Sequence, residues 1–351
     1  MSKEREKEKD KEEKRRKEED AFDIRTATWE DLEDLTLTAL EKREMEVYER
    51  LRAAYAEEAQ KLEDEIAAYY ARYGKDKVFE YRKMLERLTD AERDLLMRNV
   101  EEFKRRHPEA ADVIEIRKSI YQLNRLEGLQ TTIMMLCAEY DAITYEELSA
   151  HLQSVEHMAY QNAMQALGFG EQGFNSRIAE EFIGKGWATD GKGTLQRTLE
   201  GAEKMSKKMQ TDLLRAIARG DSYRRIQRDM GNEFRRASIR NAERLIYTEG
   251  TYVYNETTAR TLEGEGFEMY SFATCGDRRV CEICQKLEGA QFAYSERVPG
   301  VNFPPMHSMC RCSHRVAVAD WGEWMAGYVS RHGGTEEEAR RIAERFGRGR
   351  R

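Results

Sequence analysis

Four prolines in 351 residues, three of them at Pro299, Pro304 and Pro305, leave most of this chain free to run as long helices. Proline removes a backbone donor and clashes with the preceding turn, so a chain poor in it meets few helix breaks. An all-β or collagen-like build is excluded on this ground. Hydrophobic residues make up 40% and charged residues 36%, which provides a core beneath a heavily charged surface. At roughly 150 residues per domain, the length suggests about two units. The longest apolar run, residues 131–138, is far short of the ~20 residues that cross a bilayer, so no membrane association is expected. The N-terminus carries charge and no apolar stretch, which predicts no signal peptide and a reducing cytoplasmic setting.

Residues 1–20 hold nine basic and nine acidic side chains and no apolar one beyond Met1. Such a tract buries nothing and reads as a frayed helix or disordered tail. Helical patterning begins at Thr28. Thr28 with Asp31, Thr89 with Glu92 and Thr144 with Glu147 each resemble an N-terminal cap, where a hydroxyl accepts a free backbone N–H and the acid answers in return. Val47, Leu51, Tyr55, Leu62, Ile66, Tyr69 and Tyr73 form one stripe of a long amphipathic helix. His107-Pro108 ends the next helix. Residues 112–139 predict another, with Ile116, Ile120, Leu123, Leu126, Ile133 and Leu136 turned inward.

Seven glycines between Gly168 and Gly193 predict an irregular connector. No Gly-Lys-Ser/Thr ending accompanies them, so a phosphate-binding loop is not indicated. Residues 195–262 are helical again, punctuated at Gly220-Asp221-Ser222. Thirteen Lys/Arg against seven Asp/Glu in residues 204–260 give a locally basic helix pair. The whole chain carries a net charge of −7, so weak, non-specific DNA contact is the most this stretch predicts.

Five of six cysteines fall within 38 residues: Cys275, Cys281, Cys284, Cys310 and Cys312. In a cytosolic chain such clustering reads as metal binding before disulfide. Cys281-x-x-Cys284 is a knuckle that grips one ion from a tight turn, and His307-x-x-Cys310 supplies a second half-site. The preferred ligands are Cys281, Cys284, His307 and Cys310. Cys312 can replace His307 or Cys310, His314 is a weaker substitute, and Cys275 lies outside both half-sites. Thiolates with imidazole in a tetrahedron suit zinc, one Zn2+ per chain. The cluster offers more than four donors, so the zinc is expected to be structural and not to hold an open catalytic position. Residues 269–273, 291–294 and 313–318 read as three short strands around it. The fold class expected is mainly α: a long helical N-terminal region followed by a small α+β, zinc-ribbon-like module.

The run Asp277-Arg278-Arg279-Val280-Cys281-Glu282-Ile283-Cys284-Gln285-Lys286-Leu287-Glu288-Gly289, followed by Phe303-Pro304-Pro305-Met306-His307-Ser308-Met309-Cys310-Arg311-Cys312, resembles the Mu F-like head-morphogenesis domain of tailed bacteriophages. Arg219 to Ile226 and Ala242 to Glu249 are similar to that family's helical lead-in, whose Thr-Glu pair, here Thr248-Glu249, precedes the cysteines. The resemblance covers roughly residues 195–320. One departure is that Ser308 follows His307 where the family usually has proline, which loosens the turn and leaves every candidate ligand in place.

The resemblance implies a minor head protein of a tailed phage or prophage, with portal protein and/or major capsid protein as partners. It implies a place in the virion, and in the host bacterial cytoplasm during assembly, with a role in DNA packaging or delivery. The expected divisions are a tail at 1–20, a helical region at 21–194, the head-morphogenesis domain at 195–325 and a basic helical tail at 326–351. No enzyme activity and no small-molecule substrate are expected, since the six histidines are scattered and no second, open metal site is visible. The alternative reading is a nucleic-acid-binding zinc module acting outside a virion. Trp321 and Trp324 read equally as an interface anchor or as cover for the module's own core.

Overall fold

A computed structural model describes residues 27–347 apart from 109–110, 112–121, 170–177, 188–190, 277 and 279. Four long helices make the body: α1 (Trp29–Tyr73), α4 (Arg125–Ala166), α6 (Thr194–Arg219) and α7 (Tyr223–Gly264). Short elements join them: β1 (Gly74–Lys75), β2 (Val78–Phe79), α2 (Tyr81–Met84), α3 (Asp90–Arg106) and α5 (Ile178–Lys185). The mainly α class expected from the sequence is what the chain adopts. Among the described residues no helix is long and apolar enough to cross a membrane.

The stripe on α1 is buried as its spacing predicts: Val47, Leu51, Tyr55, Leu62 and Ile66 are each 1% exposed or less. They meet Leu129, Ile133, Leu148, Leu152 and Val155 of α4, and Phe234, Leu245 and Ile246 of α7. Burial of several such side chains, at about 1.5–3 kcal/mol each, is what holds helices this long in place. Thr28 and Thr89 are capping boxes with Asp31 and Glu92, as read from sequence.

Two expectations need correction. Thr144 caps nothing. It lies inside α4, where its hydroxyl donates to the Tyr140 carbonyl at 2.7 Å and sits 2.8 Å from the Tyr55 hydroxyl. The helix starts 20 residues earlier, at a capping box of Asn124 with Glu127. Apolar residues continue in phase through position 144, and their burial overrides the local cap signal. Leu123 therefore precedes the helix, and Ile116 and Ile120 lie outside the described residues. The glycine-rich connector also contains a helix, α5, whose Phe182 packs edge-on to Tyr252 of α7 with ring centroids 4.6 Å apart.

Gly220 ends α6 in the left-handed conformation, φ 73°, which frees its own N–H and that of Asp221 to close on Ile217 and Ala216. The chain reverses there into α7. Beyond α7 come β3 (Met269–Ala273), α8 (Glu282–Leu287), β4 (Gln291–Ala293) and β5 (Ser313–Ala317). β3 is central and antiparallel to both neighbours, with Tyr270 opposite Phe292 and Val316. Two last helices, α9 (Trp321–His332) and α10 (Glu336–Gly347), pack on one another, and α10 rests against α1 and α4. A second core gathers Trp29 and Leu32 from α1, Phe267, Tyr270, Tyr294 and Phe303, and Trp324 and Tyr328 from α9. Trp324 is 6% exposed and stacks on Phe267 at 4.8 Å, so this tryptophan covers the module's own core. Trp321 packs partly buried against the same cluster. The tail at 1–20 and Arg348, Arg350 and Arg351 lie outside the described residues.

Candidate metal centre

The cysteines sit where β3 ends and β5 begins, so the sheet brings both half-sites to one edge. In the first, Cys281 is the N-cap of α8 and its sulfur accepts the Cys284 N–H at 3.5 Å. A helix start turns residues three apart to the same side, so Cys281 and Cys284 face one point. That backbone N–H holds the Cys281 thiol below its ordinary range. Burial pushes Cys284 up to about 12. In the second half-site Met309 adopts φ 62°, a left-handed conformation unusual for a bulky residue, and the Cys310 N–H closes on the His307 carbonyl at 3.2 Å. This tight turn carries both His307 and Cys310.

His307 Nε2 lies 3.2 Å from Cys281 Sγ and 3.6 Å from Cys284 Sγ, and Cys284 Sγ lies 4.0 Å from Cys310 Sγ. A tetrahedral zinc with sulfur at about 2.3 Å and nitrogen at about 2.0 Å has edges of about 3.8 Å and 3.5 Å. These three separations match such edges, but Cys310 does not lie within 4.8 Å of both Cys281 and His307, so the four donors do not form one closed tetrahedron. His307 Nδ1–H donates to the Ser308 carbonyl at 2.7 Å, which leaves the Nε2 lone pair pointing at the thiols. Burial lowers the His307 pKa, and the Ser308 carbonyl with the Cys310 and Cys281 sulfurs raises it further the other way, so the net shift is upward.

Two donor groups share Cys284. Cys281, Cys284 and His307 keep their ligand atoms within 4.8 Å of one another, and so do Cys284, Cys310 and Cys312. The second group is buried throughout, whereas His307 is exposed. The hydrogen bond between Cys312 and Cys310 draws Cys310 down to about 5 and drives Cys312 up. Cys310 is therefore the readier thiolate of the pair, and Cys312 the donor beside it. The donor set, soft thiolates with one imidazole, is chemically that of zinc.

The other candidates are placed apart. His314 is 1% exposed, its Nδ1 faces Asn255 Oδ1 at 3.1 Å, and its ring packs against Tyr270, Tyr294 and Phe303. Cys275 is exposed and lines the mouth of the site without joining either donor group. A cavity of about 540 Å³ opens in front of the cluster, with Glu41 and Met45 of α1 and Glu243 and Tyr247 of α7 on its far wall. Sequence reasoning also missed the support beneath the loop. Met309 N–H donates to Thr248 Oγ1 at 3.1 Å, Thr251 Oγ1 donates to the Cys310 carbonyl at 2.8 Å, and Asn255 Nδ2 donates to the Cys312 carbonyl at 3.2 Å. The signal available was three hydrogen-bonding residues at helical spacing on one face of α7.

Fold and site together define a class: a long helical body that carries a compact Cys/His centre at one end. Residues 207–315 match the model of the family described as phage Mu protein F like protein. That segment runs from the middle of α6 through the whole donor cluster and into β5, and it bears out the resemblance to the phage head-morphogenesis family. No curated protein and no solved structure matches the chain.

Proposed function

We propose that this chain is a minor head protein of a tailed phage or prophage, joining the portal or capsid during head assembly, and that it holds one structural zinc. The observation that carries the reading is that one segment, residues 207–315, contains both the family match and the whole Cys/His cluster. Cys281, Cys284, His307 and Cys310 would hold the ion. Cys312 would stay outside the tetrahedron as a hydrogen-bond donor to Cys310. Zinc would supply a cross-link between the two loops at the edge of the sheet, and four protein donors leave no place for a reacting water. The protein acts by binding, not by turnover, in the virion and in the host cytoplasm before it.

The helical body suits a scaffold, because its long helices bury one another and its surface is charged. Direct DNA recognition is the weaker reading. Many basic side chains on α6 and α7 are already paired: Lys207 with Glu203, Lys208 with Asp212 and Glu233, Arg219 with Asp221, Arg235 with Glu63 and Arg236 with Glu233. Pairing reduces the charge available to phosphates, so any DNA binding should be weak and lost by about 0.3 M salt. The test of the main reading is co-expression with the neighbouring portal and capsid genes, followed by particle purification. Co-purification with particles is expected. Absence from particles, with normal head assembly after deletion of the gene, would contradict it.

A further inference from the structure

We propose that Thr248, Thr251 and Asn255 are positioning residues for the metal centre: one face of α7 fixes the backbone that presents Cys310 and His307, without supplying a ligand. The inference rests on the zinc reading above and adds to it the residues that hold the ligand loop in place.

The three side chains are spaced by three and four along α7, so they form one row on the helix surface. Each reaches a different main-chain group of the loop, and the groups reached belong to residues 309, 310 and 312. Thr248 takes the N–H of Met309, the residue in the left-handed turn between the two ligands. A non-glycine residue there is strained and persists only when its surroundings hold it. Thr251 takes the carbonyl of Cys310 itself. With the N–H side and the carbonyl side of this turn both tied to the helix, the direction of the Cys310 Cα–Cβ bond is set before any ion arrives.

Asn255 is the most constrained of the three. One hydrogen of its amide nitrogen goes to the Thr251 carbonyl at 2.8 Å and the other to the Cys312 carbonyl at 3.2 Å. Its oxygen faces His314 Nδ1 at 3.1 Å. Every hydrogen of that amide is used, so the amide has one orientation, and it is 1% exposed. This also gives His314 a place: with the aromatic rings around it, it locks Asn255 and does not reach for the ion. Groups that orient ligands in this way typically change metal affinity about 10- to 100-fold when removed.

The experiment uses the full chain, loaded with zinc or with cobalt(II) as a visible probe. Zinc transfer to a chromophoric chelator and the cobalt absorption bands are read for the parent, Thr251→Val, Thr251→Ser and Asn255→Ala. Far-UV circular dichroism checks that each variant keeps its helices. Valine and alanine should speed zinc loss about tenfold or more and alter the cobalt bands, while serine, which keeps the hydroxyl, should restore both. Should Thr251→Val fail to fold, Thr248→Val against Thr248→Ser decides by the same readout. Folded valine and alanine variants that keep metal as the parent does would overturn the inference alone. A parent that takes up no metal would overturn the zinc reading on which it rests.

Discussion

Two buried titratable side chains show how the helical body should respond to pH. Glu44 of α1 and His151 of α4 are 5% and 2% exposed, and both face Gly250 of α7, where an added Cβ would lie 3.4 Å from Glu44 Oε1 and from His151 Nε2. Burial pushes Glu44 up to about 8 and His151 down to about 4, so both are uncharged near neutrality. The native state then holds a proton on Glu44 that the unfolded chain, at its ordinary value of 4.5, has released. Stability from Glu44 is full below pH 4.5 and is lost as pH rises through 8. His151 has the opposite sign: its contribution is present above 6.5 and lost as pH falls through 4. Glu44→Gln removes the first effect. It should raise the thermal midpoint over the parent at pH 9, by the equivalent of about 1–3 kcal/mol, and change little at pH 5. Parallel midpoint-against-pH curves for the two proteins would count against this account.

Among the elements, the cap of α4 separates what sequence can show from what only packing decides. The three strands were legible because short aromatic and β-branched runs stand between turn residues, and the observed β3 spans Met269–Ala273, as read. The cap at Thr28 was legible because a hydroxyl, an acid three residues on and an apolar stripe agree there. At Thr144 the same letters occur, but the stripe on either side stays in phase, so the hydroxyl is absorbed into the helix and bonds Tyr140 and Tyr55 instead. Asn124→Ala should therefore cost about 1 kcal/mol, the usual value of a lost N-cap. Thr144→Val should cost about 1–3 kcal/mol because it leaves the buried Tyr55 hydroxyl without that partner. Denaturant midpoints at equal slope would measure both, and a negligible loss for Asn124→Ala would mean that the helix starts elsewhere. That Cys281, Cys284, His307, Cys310 and Cys312 gather in one place was legible from spacing alone. The row Thr248, Thr251 and Asn255 was legible only as polar residues at helical spacing, because threonine and asparagine on a helix do not reveal what lies opposite.

Over the whole molecule, the ends of the described chain share one core. Trp29 at the start of α1 stacks on Phe346 of α10 at 5.2 Å, and Arg345 donates to the carbonyls of Gln165 and Ala166, at the end of α4. Helices α9 and α10 are thus built into the fold. Trp324→Ala should destabilise the protein by about 3–5 kcal/mol, as a large buried ring removed from a core does. An unchanged unfolding midpoint, with loss only of particle binding, would make Trp324 an interface residue instead.

The same packing seats the donor cluster between the sheet and the helical body, where one ion is proposed to bind. Native mass spectrometry of the full chain, purified without added zinc, tests that claim most directly. One zinc per chain is expected, retained in Cys275→Ser and lost in Cys284→Ser. A parent protein with no bound metal, and with all the clustered thiols open to alkylation in the folded state, would contradict it.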